Sequence, residues 1–194
     1  MFSLTDFLTY VLVSSITPGP NTLMSLENGR RKGVRRGITL NLGMLCGLSI
    51  VLTACLLFSA VLLDYLPVFR PVMKVLGAAY ILWLAWKTLR RTGAVEGRDP
   101  GTGGFLAGLC FQFINPKLYV YGITSISNFV LPYFDGFPAR WGMTMALAGI
   151  SFVCGVIWLT CGAALAGFLN RYEKPANAAL AALLVYCAYK IVIA

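Results

Sequence analysis

The chain has 194 residues, of which 58% are hydrophobic and 12% are charged. This composition leaves too few polar side chains to cover a soluble globule of that length, and it therefore excludes an ordinary soluble domain. The apolar residues occur in runs of about 20 or more, which is the length that a transmembrane helix needs. The sequence predicts an all-α integral membrane protein.

Six apolar segments follow one another along the chain, and each predicts a transmembrane helix. They cover residues 4–27, 38–63, 67–89, 103–132, 141–169 and 175–194. The N-terminal region has Asp6, no basic stretch and no small-residue cleavage site. We therefore expect the first segment to be retained as a span rather than removed as a signal peptide.

The first and fourth segments are both interrupted by proline. The interruptions read Thr17-Pro18-Gly19-Pro20-Asn21 and Asn115-Pro116-Lys117. A proline inside a helix removes a hydrogen bond and leaves backbone groups that need other partners. Interruptions at corresponding places in two halves of a chain are the sequence feature that best indicates a transporter's binding site.

A weak internal repeat relates the two halves at an offset of 98 residues. Phe7-Leu8 recurs as Phe105-Leu106, and Ile16-x-Pro18 recurs as Ile114-x-Pro116. Each half has three predicted spans, and an odd number makes the halves enter the membrane from opposite sides. The sequence therefore predicts two inverted three-helix repeats with broken first and fourth helices, at residues 1–91 and 104–194, joined by a cytoplasmic linker at residues 92–103.

The net charge of +9 would suit a nucleic-acid partner, but its distribution favours another interpretation. Lys and Arg are concentrated at residues 30–36, 87–98 and 171–174, in alternate connections between the spans. This is the positive-inside pattern, and it predicts a multi-pass protein of the cytoplasmic (inner) membrane with both termini outside the cytoplasm. No nucleic-acid partner is indicated. The cluster at residues 30–36 serves either topology alone or also a contact with anionic membrane lipids.

The two interruptions have the residue pattern of helix starts. Asn115 is a good cap for free amides, and Pro116 is tolerated at a first helical position; Thr17 and Pro18 repeat this pattern. Each break would then direct the positive end of a helix dipole into the membrane interior, where it suits a carboxylate. Lys117 would be a counter-ion for that carboxylate, and Asn21 would accept from a substrate ammonium.

Other interpretations of these residues remain open. Both breaks could be simple kinks, and Lys117 could extend towards the interface. Gly43 and Gly47 are spaced for close helix packing, with pore lining as the alternative. The chain has no histidine, and its six cysteines lie within the spans without a CxxC pair, so no metal site and no cofactor are predicted.

Four motifs carry a resemblance to a known family. In chain order they are Pro18-Gly19-Pro20-Asn21, Gly43-xxx-Gly47, the run Gly77-Ala78-Ala79-Tyr80-Ile81-Leu82-Trp83-Leu84, and Asn115-Pro116-Lys117. The chain resembles the LysE/RhtB superfamily of amino-acid exporters, and residues 77–87 and 183–188 are similar to its cysteine and O-acetylserine exporter branch. The resemblance implies efflux of amino acids or their small derivatives, driven by the proton gradient. Many members carry an acidic residue where this chain has Leu48, so the proton route is unassigned.

The sequence thus predicts a secondary exporter rather than an enzyme. Its halves would rock around a site formed by residues 17–21 and 115–117. Uptake, or export of another small zwitterion, remains an alternative, and a membrane enzyme or scaffold is a remote one because no nucleophile–base pair or carboxylate cluster is present. Cysteine, O-acetylserine, threonine, homoserine and lysine are not distinguished as substrates. A homodimer is also left open.

Overall fold

The structure is a computed structural model that describes residues 3–90 and 104–193, without the side chains at positions 59–70, 73–74, 190–191 and 193. Within these residues all regular secondary structure is helical, which confirms the predicted class. The helices are α1 (Leu4–Ile16), α2 (Pro20–Leu57), α3 (Ser59–Arg90), α4 (Phe105–Ile114), α5 (Pro116–Ser125) with a π-helical turn (Ile126–Val130), α6 (Phe137–Ala164), α7 (Ala166–Arg171) and α8 (Glu173–Ile193). The predicted linker at residues 92–103 lies outside the described residues.

Helix α2 is a hairpin of two arms that reverses at Gly33. Gly33 has φ 67° and ψ 177°, in the left-handed region that glycine tolerates best. The side-chain amide of Asn28 donates to the carbonyl of Gly37 at 2.8 Å, and Ser25 Oγ lies 3.9 Å from Met44 Sδ. Residues so far apart in one straight helix could not meet, so residues 20–32 and 34–57 run antiparallel. The predicted turn between the first two spans is therefore a single-residue reversal.

Several predicted span boundaries are wrong. The expected connection at residues 64–66 lies inside α3, because α2 ends at Leu57 and α3 already begins at Ser59. The expected helix over residues 141–169 is divided at Leu165 between α6 and α7. Apolar composition shows which residues suit a bilayer, but it does not show where backbone hydrogen bonds are interrupted.

The described residues show some of the membrane character that the sequence predicts. Among them, α2 and α6 each contain a stretch long and apolar enough to cross a bilayer by length and composition. Large apolar side chains are also exposed on several helices, for example Val75, Leu106 and Phe168. Such exposed apolar surface is expected where a protein faces lipid rather than water. The number of six spans and the inversion of the halves stay predictions.

Glycines bring the central helices into backbone contact. A Cβ on Gly43 would lie 2.0 Å from the Phe105 carbonyl oxygen in α4, and one on Gly108 would lie 2.2 Å from that of Leu40. In the first arm of α2, the Leu26 carbonyl oxygen would lie 2.0 Å from a Cβ on Gly162 of α6. No larger residue fits at such distances, so the two arms of α2 pack closely on α4 and α6.

An ion cluster closes one end of the bundle near the reversal of α2. Arg30 donates to both carboxylate oxygens of Glu27 at 2.8 Å, and Arg31 also donates to Glu27. Arg30 further donates to Asn177 of α8 at 2.7 Å and to Asn170 of α7 at 3.4 Å. Arg30 is 4% exposed. Within the basic cluster at residues 30–36, this side chain therefore serves contacts inside the fold. The cluster joins the α2 reversal to the α7–α8 region.

The glycine contacts give a stability prediction with an internal control. Gly162→Ala should lower the free energy of unfolding by about 1–3 kcal/mol, because its methyl group must separate α6 from α2. Gly149→Ala lies in the same helix, where a Cβ would meet nothing within 4 Å. That variant should be neutral or stabilised by up to about 1 kcal/mol. Thermal unfolding in detergent measures both, and equal midpoints would contradict the packing.

Candidate functional site

The first predicted break separates α1 from α2. Helix α1 ends at Ile16, and both the backbone N–H and the hydroxyl of Thr17 donate to the carbonyl of Val13. The indole N–H of Trp158 in α6 donates to the carbonyl of Ile16 at 3.1 Å. The carbonyl groups of Val13 and Ile16, in the last turn of α1, therefore have partners.

Helix α2 starts two residues later than the Thr17–Pro18 pattern suggests. Gly19 occupies the cap position, Pro20 begins the helix, and the Thr22 hydroxyl accepts from Gly19 N–H at 2.7 Å. Gly19 has φ −158°, which is extended backbone open to any residue. Its lack of a side chain matters for space, because a Cβ there would lie 3.4 Å from the Lys117 ammonium nitrogen.

The second break lies between α4 and α5 and has the predicted cap. Asn115 Oδ1 accepts from the backbone N–H of Lys117 at 3.2 Å, and Pro116 occupies the first helical position. The Tyr119 hydroxyl donates to the carbonyl of Phe113 at 3.1 Å, which satisfies an acceptor at the end of α4. The break is thus a defined helix end followed by a defined helix start.

Side-chain amides join the two breaks. Asn115 Nδ2 donates to Asn21 Oδ1 at 3.3 Å, and Asn21 Nδ2 donates to Gln112 Oε1 at 2.9 Å. Gln112 Nε2 donates in turn to the carbonyl of Gly108 at 3.0 Å. Gln112 is 0% exposed and Asn115 is 2% exposed. A buried amide chain of this kind fixes the relative positions of the helices that supply it.

A cavity of about 70 Å³ lies between the breaks. One water molecule needs about 10–15 Å³, so the cavity has room for several. One wall is a chain of hydroxyl groups in which Ser15 lies 2.9 Å from Ser151, and Ser151 donates to Tyr121 at 3.3 Å. Met44, Leu45 and Leu48 make the wall partly apolar.

The charge in this cavity favours an anionic group. Lys117 lines it, and no carboxylate lines it within residues 3–90 and 104–193. Gly19 and Asn115, which cap α2 and α5, also line it. The positive ends of two helix dipoles and one ammonium group therefore converge on one small volume, and this arrangement stabilises a carboxylate.

The structure brings together most of the residues that the sequence selects. Six of them line the cavity: Thr17, Gly19, Pro20, Asn21, Asn115 and Lys117. Pro18 is exposed, and buried Pro116 packs at Gly77 of α3. Gly43 and Gly47 face Phe105 and Leu109 of α4 and do not line the cavity.

Several polar residues of the site were missed by the sequence analysis. Gln112, Asn41, Ser15, Ser151 and Tyr121 all line the cavity. The sequence alone could have pointed to Gln112 and Asn41, since Gln and Asn inside apolar spans are uncommon and usually face a bundle interior. The structure also reduces the case for Asn21 as the ammonium acceptor, because its oxygen already accepts from Asn115.

The cap at the second break can be tested by stability. Asn115→Ala removes both the helix cap and the bond to Asn21, so we expect a loss of about 1–3 kcal/mol in unfolding free energy. Asn128→Ala is the control, since Asn128 is exposed in the π-helical turn. Thermal melts of the purified proteins should separate the two, and an unchanged melt for Asn115→Ala would show that the link carries no stability.

Comparison with known proteins identifies the family. The family described as "LysE type translocator" matches residues 12–194. A cysteine/O-acetylserine efflux protein of Salmonella typhimurium is 37% identical over 190 residues, covering 97% of this chain and 96% of the relative. Proteins of the same name from Klebsiella pneumoniae and Escherichia coli K12 are 39% identical over 189 residues and 35% identical over 190.

The similarity extends over whole chains, because 96% and 97% of this chain and 95% and 96% of those two relatives are covered. No solved structure matches the chain. The family match and the relatives agree with an efflux transporter of the membrane rather than an enzyme. The chain belongs to the LysE family of translocators.

Proposed function

We propose that the protein exports small zwitterionic amino acids of the cysteine and O-acetylserine type across the cytoplasmic membrane, by alternating access. The observation that carries this proposal is the meeting of two helix starts and the Lys117 ammonium at one cavity. The names of the relatives support the substrate class and the direction. Uptake, or export of another zwitterion, is the alternative.

The substrate carboxylate lies between Gly19 and Lys117 in this proposal. Backbone amides at the start of a helix donate to anions, and an ammonium group adds a full positive charge. Gly19 has no side chain, so this place is free. A Cβ at position 19 would lie only 3.4 Å from Lys117 Nζ. The proposed site thus uses the backbone at one break and a side chain at the other.

The remaining lining favours a short, uncharged side chain. Hydroxyl groups of Ser15, Ser151 and Tyr121 can exchange hydrogen bonds with a thiol, a hydroxyl or an ester. A lysine substrate has a side-chain ammonium group in addition to its α-ammonium group. The cavity already holds Lys117, and the described lining offers the side-chain ammonium no carboxylate. Cysteine, O-acetylserine, threonine and homoserine remain suitable, whereas lysine does not.

Proton coupling also remains a proposal. Leu48, at the position where many superfamily members carry an acid, lines the cavity and is 4% exposed. No cysteine is found among the described residues that line the cavity. The titratable side chains among these residues are Lys117 and Tyr121. We therefore expect the proton step to involve one of these two groups or a carboxylate away from the cavity.

The proposed topology has both termini outside the cytoplasm. The cluster of Glu27 and Arg30 joins the α2 reversal to Asn170 and Asn177, so two of the predicted cytoplasmic connections lie at the same end of the bundle. Arg35, Arg36 and Lys174 are exposed in these regions, where they suit the cytoplasmic side and anionic headgroups. Two inverted repeats, and a homodimer in the membrane, are kept as parts of the proposal.

Transport by proteoliposomes tests the function. Lys117→Met keeps an unbranched side chain of similar size and removes its charge, so uptake of labelled cysteine in exchange for internal cysteine should fall at least about tenfold. Lys174→Met is the matched control, because Lys174 is exposed at the start of α8. Wild-type rates in both variants would remove Lys117 from the site, and no exchange by the wild-type protein would refute the proposed substrate.

A further inference from the structure

We propose that the side-chain oxygen of Asn41 holds the α-ammonium group of the substrate. This inference rests on the proposed function, since it assigns the second half of the same binding site. Asn41 lies in the second arm of α2, is 1% exposed and lines the cavity together with Gly19 and Lys117. Nothing in the sequence analysis selected it.

The oxygen of Asn41 differs from the other amide oxygens of the site because it lacks a described donor. Asn41 Oδ1 is buried and has no hydrogen-bond partner among the described residues. Buried amide oxygens are almost always hydrogen-bonded, so an oxygen without a protein partner, in a residue that lines a cavity, calls for a donor that the cavity admits, which is water or a substrate N–H. An ammonium group carries three N–H donors. Its positive charge makes the hydrogen bond to an amide oxygen stronger than one between two neutral groups.

The other amides near the breaks are already engaged. Asn21 Oδ1 accepts from Asn115, and Gln112 Oε1 accepts from Asn21. Asn115 Oδ1 accepts from the backbone of Lys117. A substrate donor at any of these oxygens would share the acceptor with the link between the two breaks, whereas Asn41 Oδ1 has no described donor to share with.

Small neighbours keep the Asn41 amide in position. A Cβ on Gly155 of α6 would lie 2.9 Å from Asn41 Nδ2 and 3.8 Å from Ser25 Oγ. Glycine at position 155 therefore leaves the amide its space between α2 and α6. An alanine there would displace the amide without removing it.

The charge balance also fits a zwitterion. Lys117 supplies the positive charge for the carboxylate, and Asn41 is a neutral acceptor for the ammonium. An anionic acceptor in place of Asn41 would neutralise Lys117 and weaken the hold on the carboxylate. A neutral amide accepts from the ammonium group without neutralising the charge of Lys117.

Binding of cysteine and of 3-mercaptopropionate, which lacks the amino group, tests the assignment. Calorimetry on purified protein should show wild type binding cysteine at least about tenfold more tightly than the analogue. Asn41→Leu should weaken cysteine binding about tenfold and leave the analogue within about twofold. Asn41→Asp, which keeps an acceptor, should retain the preference for cysteine.

Two further variants keep the test independent of folding. Gly155→Ala should lose the preference for cysteine selectively, as Asn41→Leu does, while Asn41 itself stays in the chain. Ser125→Ala should keep it, because Ser125 Oγ is also buried without a described partner but does not line the cavity. Equal weakening of both ligands, or no change, in Asn41→Leu and Gly155→Ala would overturn the assignment while leaving the transport proposal intact. Absence of cysteine binding by wild type would overturn both.

Discussion

The hydrogen bond from Asn115 to Asn21 is the interaction on which the site depends. It joins two helix breaks that are 94 residues apart in the chain, and each break leaves backbone groups that a membrane interior does not satisfy. Because the two asparagines meet, the starts of α2 and α5 open onto one cavity rather than two separate kinks. The same contact places Lys117 beside Gly19.

The surrounding packing protects this arrangement. Backbone contacts through Gly43 and Gly108 fix α2 on α4, and those through Gly29 and Gly162 fix α2 on α6. Contacts this close resist sliding of these helices against one another. The cluster of buried Arg30 and partly exposed Glu27 joins one end of these helices to α8.

Much of the fold and part of the site can be predicted from the sequence, for physical reasons. Proline and asparagine have strong local preferences, so the break at Asn115 and its cap were predictable from a few residues. Family motifs and charge asymmetry likewise depend on residue identity alone. The start of α2 at Pro20 was less predictable, because Pro18 and Pro20 both suit a first helical position and the hydrogen bond from Gly19 N–H to Thr22 is visible only in the structure.

The other features depend on contacts between distant residues. The role of Gly19 became apparent only with Lys117 beside it, since its own backbone conformation needs no glycine. Asn41 and Gln112 are polar residues in apolar segments, which marks them as unusual without showing that one is free and the other engaged. The ends of α2 and α3 are set by hydrogen bonding that hydropathy does not report.

The central claim is that the substrate carboxylate binds between the two breaks at Lys117. Its most direct test compares the binding of cysteine and cysteinamide, whose carboxylate is replaced by a neutral amide, to wild type and Lys117→Met. We predict that wild type prefers cysteine at least about tenfold and that the variant loses most of this preference. A variant that keeps the full preference would contradict the account.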